Sequence, residues 1–304
     1  MNNAILFYFD MNVSDVKKIN GNYYFNYFNS DYVVHLYKRD VYEIMEIYYV
    51  NLELLNNGFA GYEIMLTKNN DIVFLYEKEY YVLMRLPSIK NRMITFDDVL
   101  GFDFAYNTKI NKLDKSNWAN NWSFKIDFIE NQFEQVRGKY NIISSSIDYF
   151  IGIWENAISY YNDNVKGNGR KCICHNRVYY DMDLLEFVNP LNFVVDYKER
   201  DVGEYLKSYV MNNNFTKESV DKFLVCNSKE GVCTLISRLL FPSYYFDVYE
   251  DIVVNNRSED DISDIVLRRN NVIYVVYLLS LKYSNFNVPI INWIKKEISL
   301  QGLI

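Results

Sequence analysis

At 304 residues the chain is long enough for one large domain or two smaller ones, each with its own core. Half of it is hydrophobic and 23% is charged, with only 4 prolines and 11 glycines, which excludes a low-complexity or disordered protein. The net charge of −7 and the scatter of its basic residues, Lys112, Lys115, Arg268 and Arg269 among them, exclude a nucleic-acid binder that follows phosphates along a clustered basic footprint.

The opening Met1-Asn2-Asn3 lacks a basic start and Asp10 breaks the apolar run behind it, so no signal peptide is expected. The first third then alternates. Short aromatic and β-branched runs cover Asn22 to Asn29, Tyr32 to Tyr37, Tyr62 to Leu66, Ile72 to Tyr76 and Tyr80 to Met84. Asn-Gly, Asn-Ser, Lys-Asn-Asn and Glu-Lys-Glu turn signals separate them. Between the second and third runs the spacing predicts a helix. Asp40 caps its start, Glu43 completes a capping box, and Asn57-Gly58 ends it. Its predicted core face is Val41, Ile44, Met45, Tyr48, Leu52 and Leu55.

Arg85-Leu-Pro-Ser88 reads as a hinge, giving a β-rich N-terminal lobe over residues 1–86 and a mainly helical lobe over 87–304. Beyond the hinge two helical stripes stand out: Trp122, Ile126, Ile129, Phe133 and Val136, then Ile143, Ile147, Phe150, Trp154, Ile158 and Tyr161. A polar loop with Gly167 and Gly169 leads to an extended pair, Cys172 to Tyr180 and Leu191 to Asp196, followed by further helices. The longest apolar run, Val272 to Leu281, is about half the ~20 residues of a membrane crossing, so no membrane span is expected. The 29 tyrosines follow the same AT-rich codon bias as the abundant Asn, Lys, Ile and Phe, and are not read as a stacking surface. Cys172, Cys174, Cys226 and Cys233 make no CxxC pair, and with only His35 and His175 beside them they read as small apolar fillers, not zinc ligands. Reduced thiols and a cytoplasmic address are the default.

The chemistry-bearing stretch runs Cys172-Ile-Cys-His-Asn-Arg177, Asn192-Phe-Val-Val-Asp196 and Arg200-Asp-Val-Gly-Glu-Tyr205. Two strands that each end in polar residues place His175, Arg177 and Asp196 at one sheet edge. Phosphoryl transfer uses such an edge: one carboxylate orients the acceptor hydroxyl and another holds the metal that neutralises phosphate oxygens.

These residues resemble the aminoglycoside-phosphotransferase and choline-kinase branch of kinase-like proteins, and more closely the spore-coat-associated kinase-like family of endospore-forming Firmicutes. The helix carrying Trp154-Glu-Asn-Ala-Ile158 and the later Leu240-Phe-Pro-Ser-Tyr-Tyr-Phe246 resemble the coat-associated branch as well. The resemblance implies an α+β, bilobal, protein-kinase-like fold, a small antiparallel sheet with one helix joined to a larger helical lobe. It places the family's His-Gly-Asp catalytic motif on His175-Asn176-Arg177, its metal-binding Asp on Asp196 and its downstream helix-opening Asp on Asp201.

The departures from the family pattern carry the functional reading. Arg177 replaces the catalytic Asp and cannot accept a proton. Met182 falls where a magnesium-binding Asn is expected and offers no hard oxygen. The nucleotide-gripping Lys falls on His35; Lys38 has the opposite strand parity. Gly21 stands alone where a phosphate cradle wants several glycines. Glu43 and Glu46 are the candidates for the carboxylate that partners that lysine, although the capping box accounts for Glu43. Asp196 reads either as a metal ligand or as a cap for the turn into Asp201, His175 as a hydrogen-bonded core residue, Arg177 as an ion-pair partner for Asp196, and Asp201 as a helix cap.

The expectation is a catalytically degenerate kinase-like protein that binds other spore-coat proteins during coat assembly, without nucleic acid and without cofactor, in the mother-cell cytoplasm or on the coat. One alternative is a working small-molecule kinase that uses ATP and magnesium on Asp196, with Asp181 or Asp183 as a relocated acid-base. The other is a purely structural coat protein whose cleft is closed by side chains.

Overall fold

Pairs of left-handed residues fold the first third into antiparallel strands. In the computed structural model, which describes residues 1–105, 112–167, 169–212, 215–223, 225–290, 294 and 296, helix α1 (Asn2–Phe9) precedes β1 (Lys17–Ile19), β2 (Asn22–Tyr27) and β3 (Ser30–Leu36). Asn20-Gly21 joins β1 to β2 with φ of +49° and +84°, and Phe28-Asn29 joins β2 to β3 with +46° and +61°. Two successive positive φ angles are what a two-residue type I′ hairpin requires. After helix α2 (Ile44–Asn56) come β4 (Glu63–Met65), β5 (Phe74–Tyr76) and β6 (Glu79–Arg85), with Glu77-Lys78 closing the β5–β6 hairpin in the same way. The sheet order is β1-β2-β3-β6-β4 with β5 added to β6, and each of these pairings is antiparallel.

Register sets the two faces. Tyr23 opposes Val34 and Val34 opposes Leu83, so they share a face with Phe25, Tyr32 and Tyr81. Ile5 of α1 with Met11 and Val13 buries that face, and the Phe25 and Tyr32 rings stack on it 5.3 Å apart. On the other parity Val33, Val82 and Met84 are buried too, and α2 packs beside β4. Cover on both faces is why β3 and β6 read as apolar runs and not as strict alternation.

Helix α2 departs from its sequence reading. It opens at Ile44 without a side-chain cap; Asp40 takes the Tyr42 N–H at 2.9 Å, but Glu43 turns to Arg39 Nε at 2.7 Å, so the capping box is not what holds this end. Its C-terminus is as expected, with Gly58 at φ +84° and the Phe59 N–H returning to Leu54 O. The buried face is Ile44, Ile47, Val50 and Leu54 together with polar Glu46 and Asn51, whereas Val41, Met45 and Leu52 of the predicted face are exposed. Glu46 and Asn51 tolerate burial because each has an internal partner: Glu46 accepts the Leu113 N–H at 3.0 Å, and Asn51 donates to Tyr62 O at 2.9 Å.

The remainder is mainly helical. It comprises α3 (Phe96–Gly101), α4 (Trp118–Val136), α5 (Asn141–Asn164), β7 (Lys171–His175), α6 (Leu184–Phe187), β8 (Phe193–Tyr197) and α7 (Glu199–Val210). There follow α8 (Lys217–Asp221), α9 (Lys229–Leu240), α10 (Ser243–Asn255), α11 (Asp260–Leu267) and α12 (Arg269–Lys282). Strands β7 and β8 form a two-stranded sheet. The α4 stripe is buried through Phe133, and on α5 Ile143, Ile147, Phe150, Trp154 and Tyr161 are buried. Helix α9 packs against both α5 and α7.

The chain forms two compact units. The first is Met1–Ile94 with Tyr106–Asp114 and Met182–Val194; the second is Thr95–Ala105, Lys115–Asp181 and Val195–Ile304. An α+β architecture, an antiparallel sheet with a larger helical part, is as the sequence implied.

Candidate functional site

The second unit gathers three of the residues singled out in the sequence. Strand β7 ends on His175, β8 carries Asp196 near its end, and α7 brings Asp201 in its first turn. Asp196 is 0% exposed. Trp118 donates its indole N–H to both carboxylate oxygens, at 2.8 and 2.9 Å, and the Tyr197 N–H donates at 2.7 Å. Arg200 Nη1 completes the set at 2.6 Å from Oδ2. The same guanidinium donates through Nε to His175 O and through Nη2 to Asn176 O, so it ties the end of β7 to Asp196. Burial alone would push Arg200 down, but Asp196, Glu204 and Asp201 together outweigh it and the guanidinium is held above its ordinary range.

Two expectations are corrected. Asp201 is not a cap: it is buried, and accepts the His175 N–H at 3.0 Å while its other oxygen lies 2.7 Å from His175 Nδ1. Arg177 does not pair with Asp196. Its guanidinium forks onto Asp247 of α10, with Nη2 at 3.1 Å from Oδ1 and Nη1 on Oδ2, and its side chain is half exposed. Arg200 was missed, although it stood in plain view four residues after Asp196, with Glu204 four further on, the spacing that puts charges on one helix face.

That ladder continues inward. Glu204 bonds Arg238 Nε at 2.6 Å and Lys207 at 2.7 Å. Lys207, 2% exposed, also donates to Phe241 O and Ser243 Oγ. Burial opposes ionisation of Glu204, but Arg238 and Lys207 prevail and hold it well below the usual carboxylate range. Burial pushes Lys207 down to about 8. The Arg238 guanidinium lies over Trp118, Trp122 and Phe241, 5.3, 6.0 and 5.3 Å from the ring centres. Beside these groups is a cavity of about 350 Å³ within the second unit.

The nucleotide-side candidates lie in the first unit. His35 is on β3 opposite Val82, its Nδ1 2.9 Å from Leu36 O. Burial outweighs that bond and lowers its pKa, so the ring is neutral near pH 7 and gives no cation for a phosphate. Lys38 is exposed. Glu43 pairs with Arg39, whose Nη1 donates to Leu191 O and Phe193 O. Glu46 is 2% exposed, and burial raises its pKa against the opposing backbone bonds from Leu113 and Lys112. Met182 is fully buried, its carbonyl accepting the Ile94 N–H. Asp181 and Asp183 are exposed.

These donor sets do not fit magnesium. The ion wants hard oxygens in a near-octahedral shell. Here the Asp196 carboxylate is committed to a guanidinium, an indole and a backbone amide, and Met182 supplies a thioether. Among the described residues no group of three or more His, Cys, Asp or Glu side chains is placed to hold a metal ion. No helix among them is long and apolar enough to cross a membrane.

Residues 2–267 match the family described as "Spore coat putative kinase YutH". The endospore coat-associated protein YutH of Bacillus subtilis is 25% identical over 252 residues, 71% of this chain and 72% of that protein. Among solved structures, an aminoglycoside phosphotransferase from Alicyclobacillus acidocaldarius superposes with a TM-score of 0.68 at 9% identity, covering 94% of this chain and 97% of its own. A spectinomycin phosphotransferase in complex with ADP and spectinomycin gives 0.60 at 12% identity, covering 91% and 96%. The structural likenesses establish the fold, that of the aminoglycoside phosphotransferases.

Proposed function

Because the chain belongs to the YutH family of spore-coat kinase-like proteins, we propose that it is a catalytically degenerate member that works by binding, in association with other proteins of the endospore coat. The observation that carries the reading is the Arg200–Asp196 pair at 2.6 Å. An internal cation occupies the carboxylate on which a kinase of this fold would hold its metal, and Arg177 replaces the group that would accept the hydroxyl proton. Without a metal to neutralise phosphate oxygens, the electrostatic contribution to phosphoryl transfer is lost, and without a carboxylate at Arg177 nothing there orients the acceptor hydroxyl. A neutral His35 at the lysine position weakens the nucleotide grip in the same direction. The coat association comes from the family and from the Bacillus subtilis relative.

The test is a thermal-shift titration with ATP, with and without magnesium, run beside a phosphotransfer assay on aminoglycoside and choline acceptors. A ligand specific to the folded state raises the melting temperature according to its concentration over its dissociation constant. The expected result is no magnesium-dependent shift at millimolar ATP and no turnover. A magnesium-dependent shift that disappears in Asp196→Asn, or acceptor phosphorylation, overturns the reading.

A further inference from the structure

Arg238 is 5% exposed, yet it spends only Nε on a partner, Glu204. Among the described residues its Nη1 and Nη2 have no hydrogen-bond acceptor. Neither Nη nitrogen is a buried unpartnered atom, so both open onto the adjoining cavity, where an anionic ligand can take the place of water. Its position is fixed from several sides. The rings of Trp118, Trp122 and Phe241 lie against it, and Gly203 permits the approach, since a Cβ there would come 2.8 Å from Arg238 Cγ. Arg238 lines the 350 Å³ cavity, and so do Lys115, Lys125, Arg177 and Arg200, with Asp247 as the carboxylate among them. Part of that positive charge is compensated, because Lys125 and Arg177 share Asp247 and Arg200 is committed to Asp196. The Nη edge of Arg238 is the fork that remains, and a planar fork matches two oxygens of a phosphate or carboxylate.

We propose that this cavity is a binding site for a small oxyanion ligand, one presenting phosphate or carboxylate oxygens, with Arg238 as its central donor and Lys125 and Arg177 as basic residues of its wall. The volume suits a compact organic anion and is at the low end for a drug-sized molecule. Such a preference is opposite to that of a site built for a polycationic acceptor, so it deepens the binding role and rests on that reading.

The full-length chain is titrated with inorganic phosphate and, separately, with citrate, each against sodium chloride at matched ionic strength, by calorimetry and thermal shift. At least one of the two anions is expected to bind saturably and raise the melting temperature; phosphate alone or citrate alone identifies the preferred oxygen group. Arg238→Lys keeps the charge beside Glu204 but loses the fork, and is expected to weaken the dissociation constant about tenfold. Lys125→Gln, at the partly exposed wall, should weaken it in the same direction and decides the matter if Arg238→Lys does not fold. Neither anion exceeding chloride, or full affinity in the variants, overturns the proposal. Failure here leaves the phosphotransfer result untouched, whereas acceptor phosphorylation overturns the non-catalytic reading whatever the anions do.

Discussion

Arg200, in the first turn of α7, and Asp196, near the end of β8, form a buried ion pair, Nη1 to Oδ2 at 2.6 Å, with the carboxylate fully enclosed. Removing one partner strands the other. Arg200→Ala is therefore expected to cost about 3–5 kcal/mol in unfolding free energy, the range for breaking a buried pair. Arg200→Met with Asp196→Asn should recover much of that loss, because neither charge is then left alone. Urea denaturation of the single and double variants checks it, and equal losses in both would show that packing, not charge, dominates.

Trp118 acts on the same carboxylate through its indole N–H, 2.8 and 2.9 Å from the two oxygens. Trp118→Phe keeps an aromatic ring on Trp122 and Tyr161 but leaves the carboxylate short of a donor. The expected loss is about 1.5–3 kcal/mol, the range for a hydrogen bond to a charged group. A double-mutant cycle with Asp196→Asn should show coupling between the two sites, and additivity would detach Trp118 from Asp196.

Lys207 gives the network a pH signature. Its folded pKa of about 8 lies below the ordinary lysine value of 10.5, and burial is the main cause. From about pH 8 upward the unfolded chain holds this proton more tightly than the folded one, so the group's contribution to stability rises with pH in that window. Below pH 8 both states are protonated and the slope vanishes. Buried thiols such as Cys226, pushed up to about 12, act in the opposite sense at alkaline pH. The comparison that isolates Lys207 is wild type against Lys207→Met between pH 7.5 and 9.5. The stability difference should move in favour of wild type as pH rises; a flat difference would sink the assignment.

How much of this was legible in the sequence depends on whether a signal was local. Hairpin turns are local, and Asn20-Gly21 takes the two positive φ angles those residues favour, while Glu77-Lys78 takes the same angles against their preference. The stripes on α4 and α5 were legible because their apolar residues recur at helical spacing, although Phe124 and Phe128 of α4 are exposed. Helix α2 misled because apolar residues also lie on its outer side: Met45 and Leu52 are exposed, while Glu46 and Asn51 are buried on Leu113 and Tyr62, outside the helix. Asp196 was legible as a site residue, but its partner was not. The sequence offered Arg177 as that partner, whereas in the fold Arg177 goes to Asp247 on α10 and Arg200 takes Asp196. The cavity beside Arg238 had no sequence signal, since its lining comes from scattered segments between Lys115 and Asp247.

Glu46 supplies a prediction that separates a structural from a catalytic helix carboxylate. Were it poised to pair a nucleotide lysine, its negative charge would be needed. Instead it is enclosed, accepts the Leu113 N–H, and has its pKa raised by burial. A carboxyl whose folded pKa exceeds its unfolded value loses stabilising power as pH climbs through that interval, so ionisation costs the folded state more than the unfolded one. Glu46→Gln keeps an oxygen for the backbone N–H and discards the buried charge. Its melting temperature at pH 7 is expected to equal or exceed that of wild type, with the advantage shrinking near pH 4. A marked loss at pH 7 would mean that the charge itself holds the segment at Leu113, and the structural account of this helix would fail.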